Sequence, residues 1–166
     1  DRSRARRSRQ ARPRKGTATG MIPCHAFPPC PRIPMTIALT AALLRPDSEV
    51  WAVDVSERAR ELTADNARRA GVSNVRVVAP DEVPADLAPD AIWSNPPIRI
   101  GKEALHALLG QWMARLAPQG TAALVVGRNL GADPLARWLG EQLPDRTVGK
   151  VASAKGFRVI EVGPAA

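Results

Sequence analysis

From about residue 36 onward, short apolar runs alternate with longer stretches in which apolar and polar positions recur with the period of a helix. The runs are five to seven residues long and rich in β-branched or aromatic side chains, which is typical of buried strands. The predicted strands are residues 49–55, 74–79, 90–94 and 121–127. The clearest helix is 101–116, where leucine or tryptophan occupies positions 105, 108, 109, 112 and 116.

Capping residues mark where the other predicted helices begin and end. Ser56 can cap one helix, and Gly71 can end it. Asp133 as the N-cap, followed by Pro134 at the first helical position, predicts the start of the last helix.

Two more strands are predicted at the end of the chain. Residues 148–152 and 157–162, connected through Lys155 and Gly156, are expected to form an antiparallel hairpin. The alternation of strands and helices before them predicts an α/β fold, in which helices cover both faces of a parallel sheet. Ligands of such sheets lie beyond the carboxyl ends of the strands, so the residues that follow each strand are the candidates for function.

Residues 1–35 differ in character from the rest of the chain. They hold nine of the 24 Lys and Arg residues but one of the 16 Asp and Glu residues, so the net charge of +8 belongs to them and residues 36–166 are neutral. A run of arginines followed by five prolines between positions 23 and 34 can bury little apolar surface. We therefore expect a basic tail at 1–35 that is disordered or translated from a shifted reading frame, and one domain at 36–166.

Composition also argues against several classes of protein. The longest apolar run, residues 33–44, has about half the length of a membrane span and contains a proline, so no membrane association is expected. Cys24, His25 and Cys30 match no common zinc spacing, and we expect no metal. Residues 36–166 contain no cysteine, which fits a protein of the reducing cytoplasm.

The sequence Asn95-Pro96-Pro97 directly follows the strand predicted at 90–94. Two prolines make this loop stiff and present carbonyl oxygens without amide donors. The side-chain oxygen of Asn95 and a proline carbonyl can together accept both hydrogens of an –NH₂ group. Held in this way, an aromatic amine is drawn toward a pyramidal nitrogen whose lone pair points at an electrophile.

Residues 90–97 (DAIWSNPP) resemble the (Asp or Asn)-Pro-Pro-(Tyr or Phe) signature of S-adenosylmethionine-dependent amino methyltransferases. Residues 94–102 (SNPPIRIGK), 128–131 (RNLG) and 154–158 (AKGFR) are similar to the small-subunit ribosomal RNA guanine-N2 methyltransferases of the methyltransferase small domain family, and the resemblance covers about 37–162. It implies a Rossmann-like class I methyltransferase sheet with S-adenosylmethionine as cofactor. It also implies ribosomal RNA or the small ribosomal subunit as partner, and methyl transfer to an exocyclic amine, guanine N2.

The resemblance assigns cofactor-binding roles to residues after two of the strands. Asp54, with Val55 beside it, matches the acid that binds the ribose hydroxyls, and a carboxylate can accept hydrogen bonds from both hydroxyls of a cis-diol. Asp81, with Glu82 beside it, matches the position that contacts the adenine amine.

The resemblance likewise assigns catalytic and substrate-binding roles around the proline loop. Asn95, Pro96 and Pro97 match the clamp on the target amine. Ile98 stands where the family has an aromatic residue, so its contact with a base is expected to be purely apolar. Arg99 and Lys102 are candidates for RNA phosphate contacts, the alternative being an ordinary solvated surface.

One segment departs from the family. An acidic residue and a G-x-G-x-G loop should come just before residue 37, yet residues 30–36 (CPRIPMT) contain no glycine. That loop lets backbone N–H groups approach the methionine part of the cofactor, and its strand lies at the centre of the sheet. Residues 36–44 still resemble the helix that follows this loop in the family. We therefore expect the first strand to be missing, irregular or poorly replaced by residues of the tail, and the chain to bind S-adenosylmethionine weakly or not at all.

Simpler interpretations stay open for individual residues. Asp54 could serve only as a helix cap, Asn95 could serve only to end a strand, and Asp81 could be an ordinary loop acid. His106 lies off the apolar stripe of its helix and is expected at the surface, and the four tryptophans are expected in the core.

Two other functions are also compatible with the sequence. One is a non-catalytic RNA-binding protein that uses its arginine-rich tail to neutralise phosphates. The other is a methyltransferase of protein glutamine or of a small molecule, because a side-chain amide also offers an –NH₂ group to Asn95. A monomer is favoured in each case.

Overall fold

The computed structural model of the chain describes residues 17–21 and 36–165. Within them lie one seven-stranded sheet and four α-helices. The strands are β1 Thr17–Met21, β2 Glu49–Val53, β3 Val75–Val78, β4 Ala91–Ser94, β5 Thr121–Gly127, β6 Arg146–Ala154 and β7 Phe157–Ala165. The helices are α1 Thr36–Leu44, α2 Glu57–Arg69, α3 Lys102–Met113 and α4 Ala132–Gln142.

The strand order is β3-β2-β1-β4-β5-β7-β6. Neighbouring strands from β3 to β5 are parallel, and β7 runs antiparallel to both β5 and β6. The predicted α/β fold, with a parallel sheet that ends in an antiparallel hairpin, is therefore confirmed.

Apolar side chains of the strands alternate between two clusters, one on each face of the sheet. Ile92 of β4 packs in the larger cluster, together with Leu109 and Trp112 of α3, and all three are almost fully buried. Trp93, the next residue along β4, packs against the smaller cluster, which contains Ala38 of α1. The stripe predicted on α3 thus faces the sheet.

The central position of the sheet corrects an expectation from the sequence. The first strand is neither missing nor irregular, because residues Thr17–Met21 of the basic tail pair in parallel with β2 on one side and β4 on the other. An empty gap there would leave the backbone groups of two buried strands without partners. Residues Thr17–Met21 contain no proline and can fill the gap, whereas Pro31 and Pro34 lack the amide donors that a central strand needs. The division of the chain at residue 36 stays a prediction.

Helix ends agree with the predicted caps in α2 but not in α4. The Ser56 hydroxyl accepts a hydrogen bond from the Ala59 amide at 3.3 Å, and Gly71 follows the helix with a φ of 66°. The last helix, however, is capped by Gly131 in the left-handed conformation and not by Asp133. The Asp133 carboxylate instead lies in the first turn of α4 and pairs with Lys150 and Arg158 of the hairpin.

The hairpin forms where it was predicted, with longer strands than expected. Its turn residues Lys155 and Gly156 have φ values of 48° and 82°, and positive φ at both positions is the signature of a type I′ turn. Because β7 runs antiparallel to β5, this turn reaches the edge of the sheet where the parallel strands end. In the described part of the chain, every helix is too short or too polar to cross a bilayer.

Candidate active site

The candidate residues gather at the carboxyl edge of the parallel strands. Val53, Met21 and Ser94 are the last residues of β2, β1 and β4, and they lie in one row of the register. Asp54 is the first residue after β2, and Asn95 is the first residue after β4. Strand β1 lies between these two strands. Two strand spacings separate their backbones, a distance of about 10 Å.

Asp54 is held by its own neighbours along the chain. Its side chain is buried, and Oδ1 accepts a hydrogen bond from the Ser56 amide at 2.8 Å. The carbonyl oxygen of Asp54 accepts from Nη1 of Arg60 at 2.8 Å, and its amide donates to the Val78 carbonyl at 3.3 Å. The next residue, Val55, is 50% exposed and presents an apolar surface beside the carboxylate.

Asp81 and Glu82 lie in a single 3₁₀ turn, Pro80–Glu82, just beyond the end of β3. Both side chains are exposed. Oε2 of Glu82 accepts a hydrogen bond from the Ala79 amide at 2.6 Å, so this carboxylate closes its own turn. The structure thus brings both acids to the same edge of the sheet as Asp54, with Glu82 in a local structural role.

The proline loop is stiff, as its composition predicts. Asn95 is exposed, while Pro96 and Pro97 are buried. The Pro96 carbonyl accepts a hydrogen bond from the Ile98 amide at 2.9 Å, and Pro97 has φ −77° and ψ 77°, which is an inverse γ-turn. A carbonyl oxygen has two lone pairs, so this bond leaves one acceptor position on Pro96 for a ligand.

Ser94 is a functional candidate that the sequence argument did not single out. Its side chain is fully buried at the end of β4, and Oγ has no hydrogen-bond partner among the described residues. A buried hydroxyl without a partner is uncommon in folded proteins, and a functional role is one of the reasons for which such a group is retained. The available signal was a polar residue at a position where the strand alternation demands an apolar one.

The substrate-binding candidates lie on the side of the loop that faces α3 and α4. Ile98 is half-buried and lines a cavity of about 380 Å³ between these helices, and Lys102 lines it as well. Arg99 and Lys102 are both exposed. His106 is half-buried and stacks on Trp138 with ring centroids 3.7 Å apart, so it lies at the surface with part of its ring covered.

One carboxylate ties this region to the hairpin. The Lys150 ammonium donates a hydrogen bond to Asp133 at 2.8 Å, and Arg158 pairs with the same oxygen. The hydrogen bond from Lys150, with the charge of Arg158 beside it, holds the pKa of Asp133 below its ordinary value. The start of α4 is therefore linked to β6 and β7 at neutral pH.

Metal ligation finds no support in the described residues, where no group of three or more His, Cys, Asp and Glu side chains is placed to hold an ion. Cys24, His25 and Cys30 lie outside the described residues.

Residues 36–161 match the methyltransferase small domain family. The chain belongs to this family. Methyl transfer with S-adenosylmethionine as the donor is the chemistry that this membership indicates for the domain. Protein YbxB of Bacillus subtilis (strain 168) is 33% identical over 128 residues, which cover 75% of this chain. The chain spans 63% of the length of that relative.

Solved methyltransferase structures share the fold of this family member. A methyltransferase from Pyrococcus furiosus superposes with a TM-score of 0.66 at 21% identity, over 92% of this chain and 77% of that one. TrmN from Thermus thermophilus gives 0.65 at 27% identity, over 90% of this chain and 44% of that one. The T. thermophilus 16S rRNA N2 G1207 methyltransferase RsmC was solved with AdoMet and guanosine. It gives a TM-score of 0.59 at 16% identity, over 95% of this chain and 37% of that one.

Proposed function

We propose that this protein transfers the methyl group of S-adenosylmethionine to an exocyclic amine of RNA, guanine N2 of ribosomal RNA being the substrate we favour. The observation that carries the proposal is the placement of Asp54 and Asn95 on two strands of one sheet edge, two strand spacings apart. That separation allows one residue to hold a cofactor and the other to hold the amine that reacts with it. The RsmC structure, which holds AdoMet and guanosine on the same fold, supports this choice of substrate.

The residues after β2 and β3 fit the nucleoside half of the cofactor. Asp54 offers a buried carboxylate whose orientation is set by the Ser56 amide, and this suits the hydroxyls of a ribose. Val55 offers an exposed apolar surface against which an adenine ring can pack. Asp81 lies at the same edge, within the turn that follows β3.

The methionine half of the cofactor would face the segment between β1 and α1. Residues 22–35 lie outside the described residues, and their sequence contains five prolines and no glycine. Side chains and missing amide donors in such a segment oppose the close backbone contact that a glycine loop provides. We therefore expect this chain to bind S-adenosylmethionine more weakly than a version with that loop.

Asn95 and Pro96 provide the chemistry for the acceptor. The Asn95 side-chain oxygen accepts a hydrogen bond from one N–H group of the amine, and the second lone pair of the Pro96 carbonyl accepts one from the other. The nitrogen lone pair then projects away from the base, in the direction from which the methyl group is delivered. These two hydrogen bonds strengthen as positive charge develops on the nitrogen. They therefore stabilise the transition state more than the ground state.

The reaction balances without a dedicated base. When bound, S-adenosylmethionine supplies an electrophilic methyl group on a sulfonium. The target nitrogen forms the new bond to carbon, the carbon–sulfur bond breaks, and its electron pair goes to sulfur. The nitrogen then loses a proton to water, since neither an amide nor a peptide carbonyl is a base at neutral pH.

Contacts beyond the amine select the substrate. Ile98 provides an apolar contact for the base directly after the clamp, and Arg99 and Lys102 are exposed cations within reach of phosphate. Bases that can be splayed out of a loop are the usual targets of sequence-specific RNA recognition, so an unpaired guanine is the expected acceptor.

The test measures transfer of tritiated methyl groups to small ribosomal subunits, using this chain and a version with a G-x-G-x-G loop inserted before Ile37. We expect label in guanine N2 of the RNA, with a larger yield from the version that carries the loop. Label in the protein fraction would favour a glutamine methyltransferase instead. If neither version labels any fraction, and deletion of residues 1–15, which removes eight of the nine basic residues before position 36 and keeps β1, abolishes RNA affinity, the protein is an RNA-binding protein.

A further inference from the structure

The cavity between α3 and α4 begins where the proline loop ends. Ile98 lines it and lies three residues after Asn95, at most about 11 Å away along an extended chain. We infer that this cavity is a subsite for a nucleotide next to the target in single-stranded RNA. The inference rests on the proposed function, because it concerns how the same substrate is held.

The walls of the cavity are apolar and its volume suits a small ring system. Leu105, Leu130 and Leu135 line it together with Ile98, and the volume is about 380 Å³. Leu130 is 44% exposed, so part of its apolar side chain is open to a ligand in the cavity. Ligand pockets in proteins have this size and lining.

A stacked aromatic pair stands in the same wall. The rings of His106 and Trp138 are 3.7 Å apart at their centroids with 14° between their planes, and both residues line the cavity. Both are half-buried, so part of each is open to solvent. Every nucleobase can stack on such rings whatever its sequence, and unpaired bases bind aromatic side chains in this way.

The charged side chains that line the cavity favour a negatively charged ligand. Two exposed cations, Lys102 and Arg137, line it, against one carboxylate, Glu141. An apolar wall with an aromatic stack and a surplus of positive charge matches a base attached to a phosphodiester, and does not match an acidic or apolar peptide equally well. The cavity therefore extends the RNA-binding surface from the clamp across α3 to α4.

The experiment measures binding of the RNA hexamer hexauridylate to the full chain without S-adenosylmethionine. Uracil has no exocyclic amine, so this RNA tests the cavity apart from methyl transfer. Arg137→Gln should weaken binding by about threefold to tenfold and lower the salt dependence of log K by about 0.7, the value for one phosphate on a single strand. Arg69→Gln, an exposed arginine at the end of α2, is the matched control and should change neither quantity.

A second variant tests the stack. Hexauridylate should quench tryptophan fluorescence in the native chain, and Trp138→Phe should remove most of that quenching while affinity stays within about threefold, because phenylalanine also stacks on bases. Thermal unfolding of Trp138→Phe shows whether the variant remains folded. The arginine-rich tail is the same in all four proteins, so differences among them report on the cavity.

Three results would overturn the inference: no binding of hexauridylate by the native chain, equal effects of Arg137→Gln and Arg69→Gln, or unchanged quenching in Trp138→Phe. Failure of the proposed function gives a different pattern. In that case the binding results are as expected here, while no ribosomal RNA is methylated.

Discussion

The two sides of the sheet edge hold their functional groups by different means. On the β2 side, Asp54 is positioned by residues two and six positions further along the chain, Ser56 and Arg60. On the β4 side, Asn95 is exposed and is positioned by a pair of buried prolines and by the packing of α3 and α4 beyond them. Local hydrogen bonds therefore orient the Asp54 side chain at the proposed cofactor position, and long-range packing positions the proposed acceptor loop. Substitutions on the β2 side should lower affinity for S-adenosylmethionine, and substitutions on the β4 side should lower the rate of methyl transfer.

The largest effect is expected from Asn95→Ala on the acceptor side. Loss of one of the two acceptors that hold the amine should lower the rate of methyl transfer by about 10² to 10³, the range found when a single transition-state hydrogen bond is removed. The measurement is tritium transfer to ribosomal RNA by the version that carries the glycine loop. A rate within a factor of three of the parent would show that Asn95 is only a strand-ending residue.

A smaller effect is expected from Asp54→Ala on the cofactor side. A charge-assisted hydrogen bond contributes about 1.5–3 kcal/mol, so affinity for S-adenosylmethionine should fall by roughly 10-fold to 150-fold. Calorimetric titration of the version with the glycine loop measures this. Asn95→Ala serves as the control, because it should leave cofactor affinity unchanged. Equal losses of cofactor affinity in both variants would contradict the division between the two sides.

Ser94→Ala should stabilise the chain. The hydroxyl is fully buried without a partner among the described residues, and removing such a group raises the free energy of unfolding by about 1 kcal/mol, or the melting temperature by about 2–4 °C. Thr63→Val is the matched control, since the buried Thr63 hydroxyl donates to the Ala59 carbonyl at 2.7 Å and its removal should bring no gain. A lower melting temperature for Ser94→Ala would show that the hydroxyl does have a partner.

The smallest effect is expected at the other end of β2. The hydrogen bond from Arg76 holds the pKa of Glu49 below its ordinary value, with a further hydrogen bond from Trp51, although burial acts in the opposite sense. A carboxylate with a lowered pKa stabilises the folded chain above its unfolded pKa, about 4.3, and this contribution is lost as the pH falls through the folded pKa.

Glu49→Gln should therefore lower the free energy of unfolding at pH 7 by about 0.2–1 kcal/mol, a small value because both side chains are exposed and solvent screens them. Urea unfolding of the parent and the variant at pH 7 and at pH 3 measures the difference, which should shrink at the lower pH. A difference that grows toward pH 3 would show that another group is responsible.

Local chemistry alone determined much of the fold. The strand at 121–127, the Ser56 cap and the Lys155-Gly156 turn all lie where the sequence predicts them. Each depends on side chains within about four positions of one another, so the pattern of residues is sufficient to predict it. The same holds for the order of Asp54 and Asn95 after their strands, which is visible in the sequence before any packing is known.

Tertiary structure decided the rest. The place of Thr17–Met21 at the centre of the sheet depends on the unpaired backbone groups of β2 and β4, which lie far away in sequence. Gly131, and not Asp133, caps α4, while Asp133 pairs with two cations of a hairpin that no local pattern connects to it. The His106–Trp138 stack joins residues 32 positions apart on two helices. Contacts of this kind form only when separate elements pack together, and periodicity within one element carries no information about them.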